Sequence, residues 1–119
     1  MANRPFEARV RREDGGAAVL DLSGDINAGA EQALNEAYLA ADGTHPPALA
    51  LNFSDVGYIN STGIALIVGL LARARKARLP LLVYGLSPHY REIFQITRLA
   101  DFMAIYPDEA SALAQSQKA

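Results

Sequence analysis

The chain has 119 residues, half of them hydrophobic and a fifth charged, with a net charge of −2. That is the balance of an ordinary globular domain of ~100–150 residues, and its pI of about 5.6 leaves no electrostatic footprint for nucleic acid. The absence of cysteine excludes disulfides, thiolate metal sites and a cysteine nucleophile.

Phe6, Ala8 and Val10 alternate with Glu7, Arg9 and Arg11, the period of a half-buried strand. Asp14-Gly15-Gly16 is turn chemistry, and Ala17 to Leu22 follows as a second strand, so residues 5–23 are expected to form an antiparallel hairpin. After Ser23-Gly24-Asp25-Ile26-Asn27 the period changes, and Ala30, Ala33, Leu34, Ala37 and Ala41 fall on one helical face. Asp42-Gly43-Thr44-His45-Pro46-Pro47 ends that helix, with Gly43 suited to a C-terminal cap and proline unable to continue. The short apolar run Ala48 to Phe53 is consistent with a strand buried on both faces at the centre of a parallel sheet. Ser61 to Ala77 is expected to be a helix and Leu79 to Tyr84 a strand. Ser87-Pro88 supplies the cap and first position of a further helix in which Tyr90, Ile93, Phe94 and Thr97 share a face. Phe102 to Tyr106 is expected as the last strand. Pro107-Asp108 opens a final helix with Ala110, Leu113 and Ala114 as its apolar stripe, and Gln115 to Ala119 should fray.

The order ββαβαβαβα predicts one α/β domain over residues 1–119. Its mixed, mostly parallel sheet has about five strands, an antiparallel N-terminal edge strand and about four helices. The longest apolar run, Gly63 to Ala72, is about half of the ~20 residues that span a membrane. Met1 to Phe6 reaches charge without a signal-type apolar stretch. A cytoplasmic protein without membrane insertion is the expectation.

A search for catalytic chemistry returns nothing. Ser61 has no Gly two residues before it, so the nucleophile elbow of hydrolases is absent. His45 lies in a turn before two prolines and His89 in the first turn of a helix, and a solvent-exposed role is the simpler account of each. Neither dinucleotide nor P-loop glycine motifs occur, and no His, Asp and Glu cluster has metal-ligand spacing. Asp14, Asp21 and Asp25 are read as turn chemistry and solvation, and Arg73, Arg75, Lys76 and Arg78 either as an anion patch or, more simply, as complements to the dipole of the helix they end, solvating its outer face. No catalytic residue, metal or cofactor is therefore expected.

What stands out is Tyr58-Ile59-Asn60-Ser61-Thr62-Gly63-Ile64. One cap suffices for one helix, so three consecutive hydrogen-bonding side chains exceed what folding requires. They also sit at the carboxyl end of a central strand, where open α/β sheets place functional groups. The helix that follows carries two apolar stripes, Ile64, Ile67, Val68 and Leu71 on one and Leu66 and Leu70 on the other. That implies either deep burial under neighbouring helices or a docking surface for a partner.

The stretch from Ala48 to Ala72 resembles the signature of STAS domains, the family of anti-anti-sigma factors and related sulfate-transporter tails. In that family a buried strand and a "fiDSSGl"-like loop lead into a helix. Leu22-Ser23-Gly24-Asp25-Ile26-Asn27, Leu82 to Pro88, Arg98-Leu99 and Glu109-Ala110 resemble its flanking segments. The resemblance implies a single STAS-like domain with no activity of its own. It also implies that Ser61 is phosphorylated by an anti-sigma factor that is a serine kinase using ATP, with Thr62 as the neighbouring hydroxyl. The unphosphorylated form would bind that kinase and release the sigma factor, a partner switch that regulates transcription. The implied partner surface comprises Asp25, Asn27, Asn60, Ser61, Thr62 and Gly63, and a homodimer is left open. Many relatives carry Asp where this chain has Asn27 and Asn60; Asn keeps shape and capping role but removes the charge. That departure keeps in view a non-phosphorylated STAS scaffold or accessory subunit, in a stress-signalling assembly or a lipid-transport ATPase complex. A small hydrolase using Ser61 would need a histidine and a carboxylate beside it.

Overall fold

The structure, a computed structural model, describes residues 4–12 and 16–116. Strand β1 (Glu7–Arg12) pairs antiparallel with β2 (Ala18–Ile26), and β3 (Leu49–Ile59), β4 (Leu81–Tyr84) and β5 (Ala104–Tyr106) follow in parallel, in the spatial order β1-β2-β3-β4-β5. Helices α1 (Glu31–Asp42), α2 (Ser61–Lys76) and α3 (Pro88–Ile96) each connect neighbouring parallel strands, and α4 (Glu109–Ser116) follows β5. Because every crossover steps in the same direction with the same hand, α1, α2 and α3 share one face of the sheet. That face holds the main core, with Leu20 and Leu22 from β2, Leu49, Leu51 and Phe53 from β3 and Val83 from β4. The helices contribute Leu34, Ile67, Leu70 and Phe94. The opposite face buries a smaller cluster, Val19, Ala50, Leu82 and Tyr84, under Ala112 of α4. The sheet is the predicted α/β arrangement, and β3 lies at its centre.

Several boundaries differ from the sequence expectation for identifiable reasons. β3 does not stop at Phe53. It continues to Ile59 alongside a β2 that itself runs on to Ile26, with register shifts between Asp21 and Ser23 and between Gly24 and Asp25. Bulges break the period-2 pattern, and four of the six residues of the extension are exposed, so it resembles a loop in sequence. β4 begins at Leu81 rather than Leu79. Phe102 belongs to a 3₁₀ turn, Leu99–Phe102, and is exposed, so β5 is shorter than predicted. In α1 the buried stripe includes Tyr38. The turn after it takes its positive φ (52°) at His45, while Gly43 stays right-handed at −63°. In α4, Ala112 and Leu113 face the sheet and Ala110 and Ala114 are exposed. The last helix holds to Ser116; residues 117–119, residues 1–3 and the Asp14-Gly15 turn lie outside the described residues. Val10 is 38% exposed despite its place in the alternation, since β1 is an edge strand whose apolar contact comes from Phe6 and Ala8.

The double stripe on α2 resolves mainly as depth. Ile67, Leu70, Leu71 and Ala74 are buried and Ile64 and Leu66 half-buried, whereas Val68 faces outward. Among the described residues, no helix is long and apolar enough to cross a membrane.

Candidate functional site

The carboxyl ends of β2 and β3 lie side by side, with Ile26 opposite Ile59. Each is followed at once by an asparagine that starts a helical turn. Asn27 Oδ1 accepts the Gly29 N–H at 2.9 Å, capping the 3₁₀ turn Ala28–Ala30. Asn60 Oδ1 accepts the Gly63 N–H at 2.8 Å, capping α2. The two starts are locked together, because the Asn60 N–H donates to Ile26 O at 3.2 Å. Gly63 is buried against the same carbonyl, and a Cβ at that position would run into Ile26 O. Glycine is needed here for close backbone approach rather than for a special dihedral.

Behind this junction, the Tyr90 hydroxyl accepts the Ile59 N–H at 2.8 Å, and His89 packs edge-on against the Tyr90 ring at 4.8 Å between centroids. α3 therefore braces the end of β3. In front of it, the Arg4 N–H donates to Asp25 Oδ2 at 3.2 Å and the Asp25 N–H to Arg4 O at 3.1 Å. The Arg4 guanidinium reaches Asp55 O at 3.3 Å. Gly24, with φ of +87°, allows this strap to lie flat, since a Cβ would strike Pro5 O.

Ser61 and Thr62 then occupy the first two positions of α2, both exposed, and among the described residues neither hydroxyl makes a hydrogen bond. Ser61 is not the cap; Asn60 is. The structure thus brings Asn27, Asn60, Ser61, Thr62 and Gly63 to one edge of the sheet, with Asp25 beside them and already partnered by Arg4. Two contributors were missed in the sequence. Arg4 lies 21 residues from Asp25 and carries no motif, and Tyr90 looked like a plain core residue. The one available signal was Gly24, a glycine inside a strand, which marks a bulge or close backbone approach. His45 lies in the exposed turn after α1. No group of three or more metal-ligating side chains occurs among the described residues.

Residues 8–112 match the STAS domain model. The chain belongs to the STAS domain family. It is 29% identical over 84 residues to an anti-sigma-B factor antagonist of Listeria monocytogenes, covering 71% of this chain and 74% of that one. Its structure resembles the crystal structure of an anti-sigma factor antagonist from Mycobacterium paratuberculosis, with a TM-score of 0.79, 25% identity and 95% of each chain covered. It also shares its fold with the Bacillus cell fate determinant SpoIIAA in the phosphorylated form. There the TM-score is 0.69 at 18% identity, with 91% of this chain and 97% of that chain covered. The STAS chain is thus similar in sequence and in fold to anti-sigma factor antagonists.

Proposed function

We propose that this STAS protein is an anti-sigma factor antagonist that binds an anti-sigma factor of the serine-kinase type and is switched off by phosphorylation of Ser61. The observation that carries the reading is the division of labour at the start of α2. Asn60 performs the capping, Gly63 and Ile26 fix the position, and the Ser61 hydroxyl is left exposed with no structural task. A phosphate on Ser61 would meet the unpaired N–H groups and positive end of the dipole at a helix N-terminus, so the fold should accommodate it. The surface would change instead, gaining ~1.5–2 negative charges in the middle of the docking patch. The partner-facing residues are Asp25, Asn27, Asn60, Ser61 and Thr62, with Thr62 the neighbouring acceptor; Gly63, expected with them, is buried and seats them against Ile26. The protein itself does no chemistry: ATP is consumed by the partner, the setting is the cytoplasm, and residues 1–119 act as one unit.

The test pairs stability with affinity. The co-purifying partner is identified, and phosphoryl transfer from labelled ATP is followed for the parent and for Ser61→Ala. Loss of label in Ser61→Ala with binding retained supports the switch. Ser61→Asp should melt within a few degrees of the parent yet bind the partner at least tenfold more weakly. Parent-like binding by Ser61→Asp would replace the switch with an unmodified scaffold, and unfolding would make Ser61 structural.

A further inference from the structure

The far end of α2 carries a surface with no part in the Ser61 switch. Val68 is 44% and Phe102 49% exposed. With Leu71, Ala72 and Arg75 they line a shallow apolar depression of about 200 Å3. On the other side of the Arg75–Phe102 pair, a second depression of about 250 Å3 is lined by Leu71, Leu79 and Leu81 with Arg75 and Arg78 on its rim. The Arg75 guanidinium rests over the Phe102 ring, 4.9 Å from its centroid. Among the described residues, no acidic residue lines either depression and neither Arg75 nor Arg78 is ion-paired. In a chain whose net charge is −2, this is an apolar groove with a rim of one sign.

We infer that this groove is a second docking site, and that its occupant is an acidic amphipathic segment of a protein partner. One or two apolar side chains of the segment would enter beside Phe102, and carboxylates next to them would meet Arg75 and Arg78. Burying the apolar lining supplies the favourable part of the affinity. Desolvation of an arginine already stacked on an aromatic ring strengthens its pairing with a carboxylate. Complementary charge at the rim sets orientation and on-rate. A membrane is the poorer match, because interfacial binding needs apolar side chains that project from the surface, whereas these line depressions beside a helix. The groove is also placed to cooperate with the Ser61 end. Ser61, Ala65, Val68, Ala72 and Arg75 are all exposed and recur every three or four residues, so they share one face of α2. Ser61 and Arg75 are ~21 Å apart along it at ~1.5 Å per residue. The inference does not depend on modification of Ser61.

The experiment titrates the isotope-labelled protein with a synthetic 18-residue helical peptide bearing leucines on one face and glutamates on the other. A lysine-for-glutamate counterpart and vesicles of phosphatidylglycerol and phosphatidylcholine complete the set. Backbone amide shifts should move at Val68, Ala72, Arg75 and Phe102 with the glutamate peptide. Affinity should fall at least tenfold in Arg75→Glu, in Phe102→Ala and on raising salt from 50 to 500 mM. If Phe102→Ala fails to fold, Val68→Ser, an outward-facing change that removes apolar contact without adding charge, serves in its place. Equal binding of the lysine peptide, binding to vesicles but not to the peptide, or shifts at these residues on concentrating the protein alone would each overturn the inference. The last would assign the face to a second copy of the chain.

Discussion

The starts of α2 and α4 solve the same problem in opposite ways. At α2 the frame is uncharged: an Asn60 side chain, a buried Gly63, the Ile26 carbonyl and the Tyr90 hydroxyl. At α4 it is ionic. Asp108 Oδ1 accepts the Ser111 N–H at 2.8 Å, and Glu109 accepts from Arg11 at 2.7 Å and from the Tyr84 hydroxyl at 2.6 Å. Arg11 also pairs with Asp21, which accepts a further hydrogen bond from Asn52. The difference shows what each helix is for. α4 is short and buries little beyond Ala112, so a charged strap holds it to the sheet. On the proposed switch, α2 presents Ser61, and its cap and seat carry no charge; the carboxylate on that edge, Asp25, is partnered by Arg4.

The largest effect should come from breaking the uncharged frame. Gly63→Ala forces a methyl group into the Ile26 carbonyl and should cost about 1–3 kcal/mol or more, read as a fall in Tm. Partner binding should weaken with it, because the whole Ser61 edge shifts. Asn60→Ala removes a true cap and should cost about 0.5–2 kcal/mol. Asn60→Asp, by contrast, should keep the fold, since a carboxylate also caps and suits the dipole.

The ionic frame should respond to acid. Arg11 holds the Asp21 carboxyl below the ordinary range, Arg11 and then Tyr84 do the same for Glu109, and the Ser111 backbone N–H does so for Asp108. Carboxylates with depressed folded values stabilise above the ordinary carboxylate range, and that stability is lost as pH falls through the folded values. The protection of α4 amides, relative to their intrinsic exchange rates, should therefore fall below about pH 4 before protection at the start of α2 does. A uniform loss of protection would dissolve the contrast between the two helices. Arg11→Ala should cost only about 1 kcal/mol, because Arg11, Asp21 and Glu109 remain 34%, 29% and 37% exposed and water screens them.

The smallest effect belongs to Ser61→Ala. Since Asn60 is the cap, removing the Ser61 hydroxyl should change stability by no more than about 0.5 kcal/mol in a denaturant melt. A loss comparable to that of Asn60→Ala would mean that the hydroxyl is engaged in the frame after all.

Alternation, apolar runs and turn residues were sufficient to determine the strand–helix order, the central place of β3 and the position of Ser61 in front of an apolar helix, because these signals are local. As residue types, Asn60 and Ser61 are both suited to cap a helix. Only the tertiary structure chose between them, by seating Gly63 against Ile26 and aiming Asn60 Oδ1 at its N–H. The extension of β3 to Ile59, the Arg4 strap on Asp25, the Tyr90 brace and the Arg11 network all join residues far apart in the chain. Their partners are set by how β2 and β3 register and by where the helices land, which no periodicity in the sequence records.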